Sequence, residues 1–247
     1  MTLKEVPIMS YEDHIYIASC VFTKQYPALS KKIREYILNR FHMRIIRCCA
    51  ANYKVEAFEK DMPAGYQTAW KRIPHYQEFE SGETMVSICH NCSAIFQESR
   101  PDIHVKSIWE LLLEDDSFAY PDYHQESMTL QDCWRAKGND AEKAAVRELI
   151  QRMNIRLVEL PEPQEDFCGI SLYRPAPPRN LKMAPKRFVQ GAPGKFQAHT
   201  PEEQKQLMET YCRKFKTDKV IAYCHYCAAG LNLGGKQGIH LGELLFN

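Results

Sequence analysis

One hexapeptide in this chain occurs twice. Cys89-His90-Asn91-Cys92-Ser93-Ala94 returns as Cys224-His225-Tyr226-Cys227-Ala228-Ala229, with the first cysteines 135 positions apart (224 − 89). Downstream of each copy, Ile103-His104-Val105 with Trp109-Glu110-Leu111-Leu112 is echoed by Ile239-His240-Leu241 with Gly242-Glu243-Leu244-Leu245, the histidines 136 apart. A repeat of that period in a chain of 247 residues implies two related halves. The join falls in Leu113–Gln125, where Asp115-Asp116-Ser117 and Pro121-Asp122 read as turn or linker. The expected units are 1–118 and 119–247.

Short runs rich in β-branched and aromatic residues alternate with helical patterns. Ile15–Ser19, Met43–Arg47, Met85–Ile88 and Val220–Tyr223 are strand-length and apolar. Ala28–Arg40 repeats apolar residues at helical spacing, as does Ala141–Met153, with Asn139 or Asp140 at its start. Thr200-Pro201-Glu202-Glu203 opens another helix, expected to reach about Lys216. Strands alternating with helices predict an α/β fold, each half a small parallel sheet flanked by helices. Eight of the fourteen prolines lie between Pro161 and Pro201, so 171–199 reads as a long excursion. It is locally basic and is expected to be a solvated surface loop or a docking or lid loop.

Ten cysteines are many for a near-neutral chain of ordinary globular composition. Cys20, Cys48-Cys49, Cys89 and Cys224 each follow a predicted strand directly. In a parallel α/β sheet, ligands gather where loops leave the carboxyl ends of strands. The first half therefore offers C…CC…CxxC: Cys20, Cys48, Cys49, Cys89 and Cys92. The second offers C…C…CxxC: Cys133, Cys168, Cys224 and Cys227. Thiolates are soft ligands suited to zinc or to iron–sulfur clusters. Cys212 is left over and reads as a packed thiol in the middle of a helix. His90 and His225 are expected beside the ligands or facing solvent, and His104 and His240 in structural hydrogen bonds. Trp70, Trp109 and Trp134 are expected in the core or at an interface.

This doubled pattern resembles the cysteine-rich CCG domain of the heterodisulfide reductase-like iron–sulfur proteins. Beyond the cysteines, the resemblance rests on Asp132-Cys133, Arg147-Glu148-Leu149, Leu157-Val158-Glu159-Leu160 and Cys168-Gly169, and it runs from Ile15 to Leu245. It implies a four-iron cluster, cubane or noncubane, on Cys20, Cys48, Cys49, Cys89 and Cys92, and a second on Cys133, Cys168, Cys224 and Cys227. It also implies electron relay or reduction of a disulfide-type or thiol substrate within a multi-subunit oxidoreductase. The partner would be a flavin- or ferredoxin-type donor. The chain departs from the family at Phe167, where relatives carry a second adjacent cysteine, at Ala50 in place of glycine, and at Trp134 where histidine is common. Four thiols in the second half suit a cubane cluster or zinc.

Two other readings stand beside it: a zinc-binding structural or adaptor module, and a metal-free dithiol oxidoreductase using Cys89 and Cys92. A net charge of +1 argues against a field-driven nucleic-acid or membrane-surface role. No run of about 18 apolar residues occurs, so no transmembrane segment is expected. Met1–Val6 lacks the shape of a signal peptide, and a cytoplasmic location is expected. No GxGxxG or phosphate-loop string supports nucleotide binding within the chain.

Overall fold

The computed structural model describes residues 11–50, 56–160 and 166–247; Met1–Val6, Pro161 and Pro163 lie outside the described residues. The amino-terminal sheet contains β1 (His14–Ala18), β2 (Arg44–Arg47), β3 (Thr84–Ser87) and β4 (His104–Ser107), in the order β2-β1-β3-β4 and all parallel. Around it lie α1 (Cys20–Gln25), α2 (Pro27–Phe41), α3 (Glu56–Glu59), α4 (Ala64–Lys71), α5 (His90–Ser99) and α6 (Ile108–Leu113). The central strand β1 buries Ile15, Tyr16, Ile17 and Ala18 in succession, because helices cover both faces.

The second sheet repeats the plan. Its strands are β5 (Ser127–Gln131), β6 (Arg156–Val158), β7 (Lys219–Ala222) and β8 (Gln237–His240), in the order β6-β5-β7-β8 and all parallel. Its helices are α7 (Asp140–Arg152), α8 (Pro178–Met183), α9 (Pro201–Cys212), α10 (His225–Leu233) and α11 (Leu241–Leu245). The expected α/β class with two parallel sheets is therefore what the chain adopts. In each sheet the strand order reverses between the first and third strands (β1/β3 and β5/β7), which opens a crevice at their carboxyl ends.

Helix ends follow local chemistry. Asn139 accepts from the Glu142 amide to start α7, and Thr200 with Glu203 forms a reciprocal capping box on α9. Helix α9 stops at Cys212, short of Lys216. The amide of Phe215 turns back onto the Cys212 carbonyl at 3.2 Å and its ring is buried, so the chain leaves the helical path there. Cys212 is thus a helix-terminal thiol, packed so closely on Gly234 that a Cβ there would lie 2.5 Å from its sulfur.

The repeat also needs a different register at its end. Strands β4 and β8 begin at His104 and Gln237, and α6 and α11 begin at Ile108 and Leu241, an offset of 133 in both cases. The counterpart of His240 is accordingly Ser107. Both residues cap a helix, with Glu110 and Glu243 closing the box. His104 merely opens an edge strand.

The proline-rich excursion is exposed along much of its length but packs inward at several points. Between 169 and 190 it forms short helical turns, including α8, and buries Asn180, Ala184 and Phe188. Glu98 on α5 anchors it by accepting from the Lys186 and Arg187 amides, each at 2.7 Å. Pro178 opens α8 with Pro177 just before it, and Pro185 precedes the next turn, positions where a missing N–H costs nothing. The excursion is a packed strap.

Candidate metal centres

All ten cysteines are buried free thiols, and no helix among the described residues is long and apolar enough to cross a membrane. In the second half, Cys133 follows β5, Cys168 enters the strap, Cys224 follows β7 and Cys227 lies one turn into α10. Their Sγ atoms all lie within 4.8 Å of one another. Cys133 and Cys168 are 3.4 Å apart, and Cys168 and Cys224 are 3.8 Å apart. The Cys168 thiol is brought in by a glycine contact. Gly169 (φ 54°) packs on Gly230 of α10, where an added Cβ would sit 2.4 Å from the Gly169 Cα.

A polar frame holds the strand end. Tyr223 donates to Asp132 Oδ1 at 2.8 Å, and its hydroxyl oxygen accepts from the Cys133 amide at 3.4 Å. Arg147 grips Asp132 at 2.8 Å and Glu159 at 2.7 Å. Asp132, Arg147 and Glu159, which stand out in the sequence only by resemblance, thus form one network behind Cys133.

Electrostatics divide the four thiols: burial pushes Cys133 and Cys227 well up, while the other two come down. Burial pushes Cys224 up, but hydrogen bonds from Cys133, Cys168, Cys227 and His90 outweigh it and hold the thiol well below its ordinary range. Cys168 is also lowered: burial opposes ionisation, while the Cys133 hydrogen bond and the Arg135 charge favour it. The Arg135 guanidinium donates to Cys168 Sγ, to Ser171 Oγ at 2.9 Å and to Asn91 Oδ1 at 2.7 Å.

In the first half, Cys20 begins α1, Cys48-Cys49 follow β2, Cys89 caps α5 and Cys92 lies one turn on. Cys49 hydrogen-bonds with Cys48 and Cys92, Cys92 also with Cys89, and Cys20 feels the charges of Cys49 and Cys89. These are pairwise interactions; among the described residues the compact ligand group is the second-half four. Cys48 takes a left-handed backbone (φ 74°), an uncommon conformation for a residue with a Cβ, which lets two adjacent thiols both be buried. Phe167, its counterpart in sequence, has no such backbone; the left-handed position there is Gly169. The Phe167 ring instead stacks on Tyr211 at 4.2 Å.

Hydrogen bonds from Cys92 bring Cys89 down to about 5 against its burial, with help from His225 and Ser19. Burial, reinforced by Cys49 and Cys89, pushes Cys20 up to about 12. Hydrogen bonds from Cys48 and Cys92 hold Cys49 well below its ordinary range too, and two acidic thiols beside three less acidic ones are an arrangement that a metal charge would complete.

The two CxxC histidines cross over. His90, from the first half, binds Glu142 of the second at 3.1 Å and contacts the Cys224 thiol. Burial disfavours its charge, but Glu142 and Cys224 prevail and its pKa lies well above the usual value. His225 feels Cys89 of the first half, yet burial keeps it below its usual range. Both rings are buried, so neither faces solvent. Trp70, Trp109 and Trp134 are buried as expected, and His240 caps α11 through Nδ1 at 3.2 Å from the Gly242 amide.

Sequence reasoning missed Arg135, Asn91 and Glu142. The available signal was a charged residue two positions after Cys133, beside residues that otherwise read as interior. The strap contributes as well: the Arg179 charge acts on Cys20 and Cys49, and Phe188 meets Trp134 edge-on at 6.3 Å. Compared with protein-family models, with curated proteins and with solved structures, the chain matches none.

Proposed function

We propose that this chain is the metal-binding component of a larger, multi-subunit oxidoreductase of the heterodisulfide reductase kind. Cys20, Cys48, Cys49, Cys89 and Cys92 would hold a four-iron cluster, and Cys133, Cys168, Cys224 and Cys227 a single tetrahedral ion, zinc. The observation that carries this reading is the spacing of the second-half thiols. Four sulfurs around one zinc at about 2.3 Å stand about 3.8 Å apart. The second-half sulfurs match that spacing. Thiolates around a four-iron core must enclose eight further atoms and stand farther apart than the second-half four, so the five-thiol set is the one assigned to a cluster.

A cluster in the first half would supply a one-electron redox centre for relay or for reduction of a disulfide-type substrate. The chain's own residues do the rest. Ser87 fixes the Cys89 turn by accepting from its amide at 2.9 Å. Burial keeps bulk water from the sulfurs, and Arg179 brings positive charge to the crevice. A cavity of about 450 Å³ beside the strap is lined by Lys137, Lys186 and Arg187, with Glu98 as its one acidic residue among those described and Trp134 beside them. That basic mouth supports an acidic partner surface. Ten free thiols support a reducing, cytoplasmic compartment.

The test is anaerobic reconstitution followed by metal and sulfide analysis. About four iron, about four sulfide and about one zinc per chain are expected. Zinc without iron would instead establish the structural zinc module, and no metal at all would leave only dithiol chemistry.

A further inference from the structure

Arg135 has an environment that a surface-type residue almost never occupies. It is 5 % exposed. Its guanidinium lies 5.2 Å from the Tyr226 ring centre and 5.7 Å from those of Trp134, Phe188 and Phe196. Inside that aromatic cage its polar partners are Ser171, Asn91 and the sulfur of Cys168. Neither Ser171 nor Asn91 carries charge. A buried cation with no anionic partner is strongly destabilising, and Cys168 as a metal-bound thiolate supplies the anion. Four thiolates around a divalent ion carry a net charge of −2, and a buried guanidinium on one of them offsets part of it.

The other end of the contact crosses between halves. Asn91 stands between Cys89 and Cys92, inside the first-half CxxC turn, and its carboxamide oxygen holds Arg135 Nε at 2.7 Å. The same turn places His90 against Glu142 and Cys224. The first-half turn therefore supports the second-half centre at two points, while donating its own thiols to the first. We infer that Asn91, Arg135 and Cys168 form a relay through which the second centre's hold on its metal depends on the first-half CxxC turn. Arg135 acts as a positioning and charge-compensating residue. Asn91 fixes it without touching the metal site.

The inference rests on the zinc reading of the second centre. It is tested by the rate at which a chromogenic chelator strips zinc from the purified full chain, with iron followed in the same samples. Three variants are compared with the wild type: Arg135→Gln, Arg135→Lys and Asn91→Ala. All leave the nine candidate ligands in place. Loss of a group that hydrogen-bonds a ligand typically weakens metal affinity by about 10- to 100-fold. Zinc loss should be faster by that order in Arg135→Gln and by about tenfold in Asn91→Ala. Arg135→Lys keeps the charge but cannot span Asn91 and Cys168 together, so it should fall between wild type and Arg135→Gln.

A wild-type chain that holds no zinc overturns the reading of the centre, and the relay with it. A wild-type chain that holds zinc, with Asn91→Ala releasing it at the wild-type rate, overturns the relay alone, whatever the Arg135 variants do. Should Arg135→Gln fail to fold, Asn91→Ala still decides the matter.

Discussion

Position 167, next to Cys168, carries a phenylalanine where the first half has Cys48 next to Cys49. The Phe167 ring stacks on Tyr211, whose hydroxyl reaches Gln131 at 2.8 Å, and the Phe167 carbonyl accepts from the Trp134 amide at 2.9 Å. The side chain therefore builds the wall behind the second centre. Substituting Phe167→Cys should empty that wall and destabilise the chain by about 3 kcal/mol. It should leave the metal content per chain unchanged, because the new thiol inherits a backbone without the left-handed turn of Cys48. Urea denaturation alongside elemental analysis checks both halves of the expectation; a fifth thiol that alters the metal bound would refute it. The cysteines themselves are legible in the sequence because so many of them directly follow a strand-like run. Phe167's stacking is not, because Tyr211 reaches it from a helix 44 positions away (211 − 167).

At the scale of elements, the strap is the feature least legible in the sequence. Proline content correctly excludes a long helix, but it does not separate a hydrated loop from a chain of short capped turns. What decides is where Asn180, Ala184 and Phe188 go, and they go inward. The end of the repeat misleads for a related reason. Two histidines in similar tripeptides attract an alignment, while the elements align Ser107 with His240, since either side chain can accept from a helix's first amides. The contact between the strap and α10 is equally local in cause. Gly169 and Gly230 meet backbone to backbone, and a methyl group on Gly230 would lie 2.4 Å from the Gly169 Cα and 3.0 Å from the Met208 sulfur. Gly230→Ala should cost about 1–3 kcal/mol through that overpacking and displace Cys168 from the other sulfurs. Thermal unfolding with and without zinc should show the larger loss in the zinc-loaded chain. Equal losses in both would mean that the glycine pair supports the fold but not the centre.

The whole molecule is held together at a seam where His240 meets Phe22, Tyr26 and Trp109, with ring centres 5.0, 5.4 and 5.9 Å away. Burial lowers the His240 pKa to about 3, far below the ordinary histidine value. A histidine whose folded pKa is depressed contributes stability that is present above its unfolded pKa and lost as pH falls through the folded one. Stability should therefore decline from about pH 6.5 downward, well before the carboxylates titrate. His240→Asn keeps an acceptor for the Gly242 amide and removes the titrating ring, so its stability should vary less between about pH 6.5 and about pH 4. Denaturant midpoints across that range measure the slope, and an unchanged slope would place the acid sensitivity elsewhere. Much of this scale can be read from the chain: two α/β sheets follow from the repeat and the alternation of strands with helices. The crossing of the halves cannot, because Glu142, Asn91 and Arg135 gain their meaning only once α5 and α7 are neighbours.

That crossing bears on how such a chain can have changed over time. Two copies of one unit are free to diverge while each is self-sufficient. Here the CxxC turn of the first copy carries Asn91 and His90, both engaged with the second, so an alteration in one turn is felt in two places. The copies are no longer separable parts. The left-handed backbone falls at Cys48 in one copy and at Gly169 in the other, so the two thiol groups are unlike in the chain that carries them as well as in number.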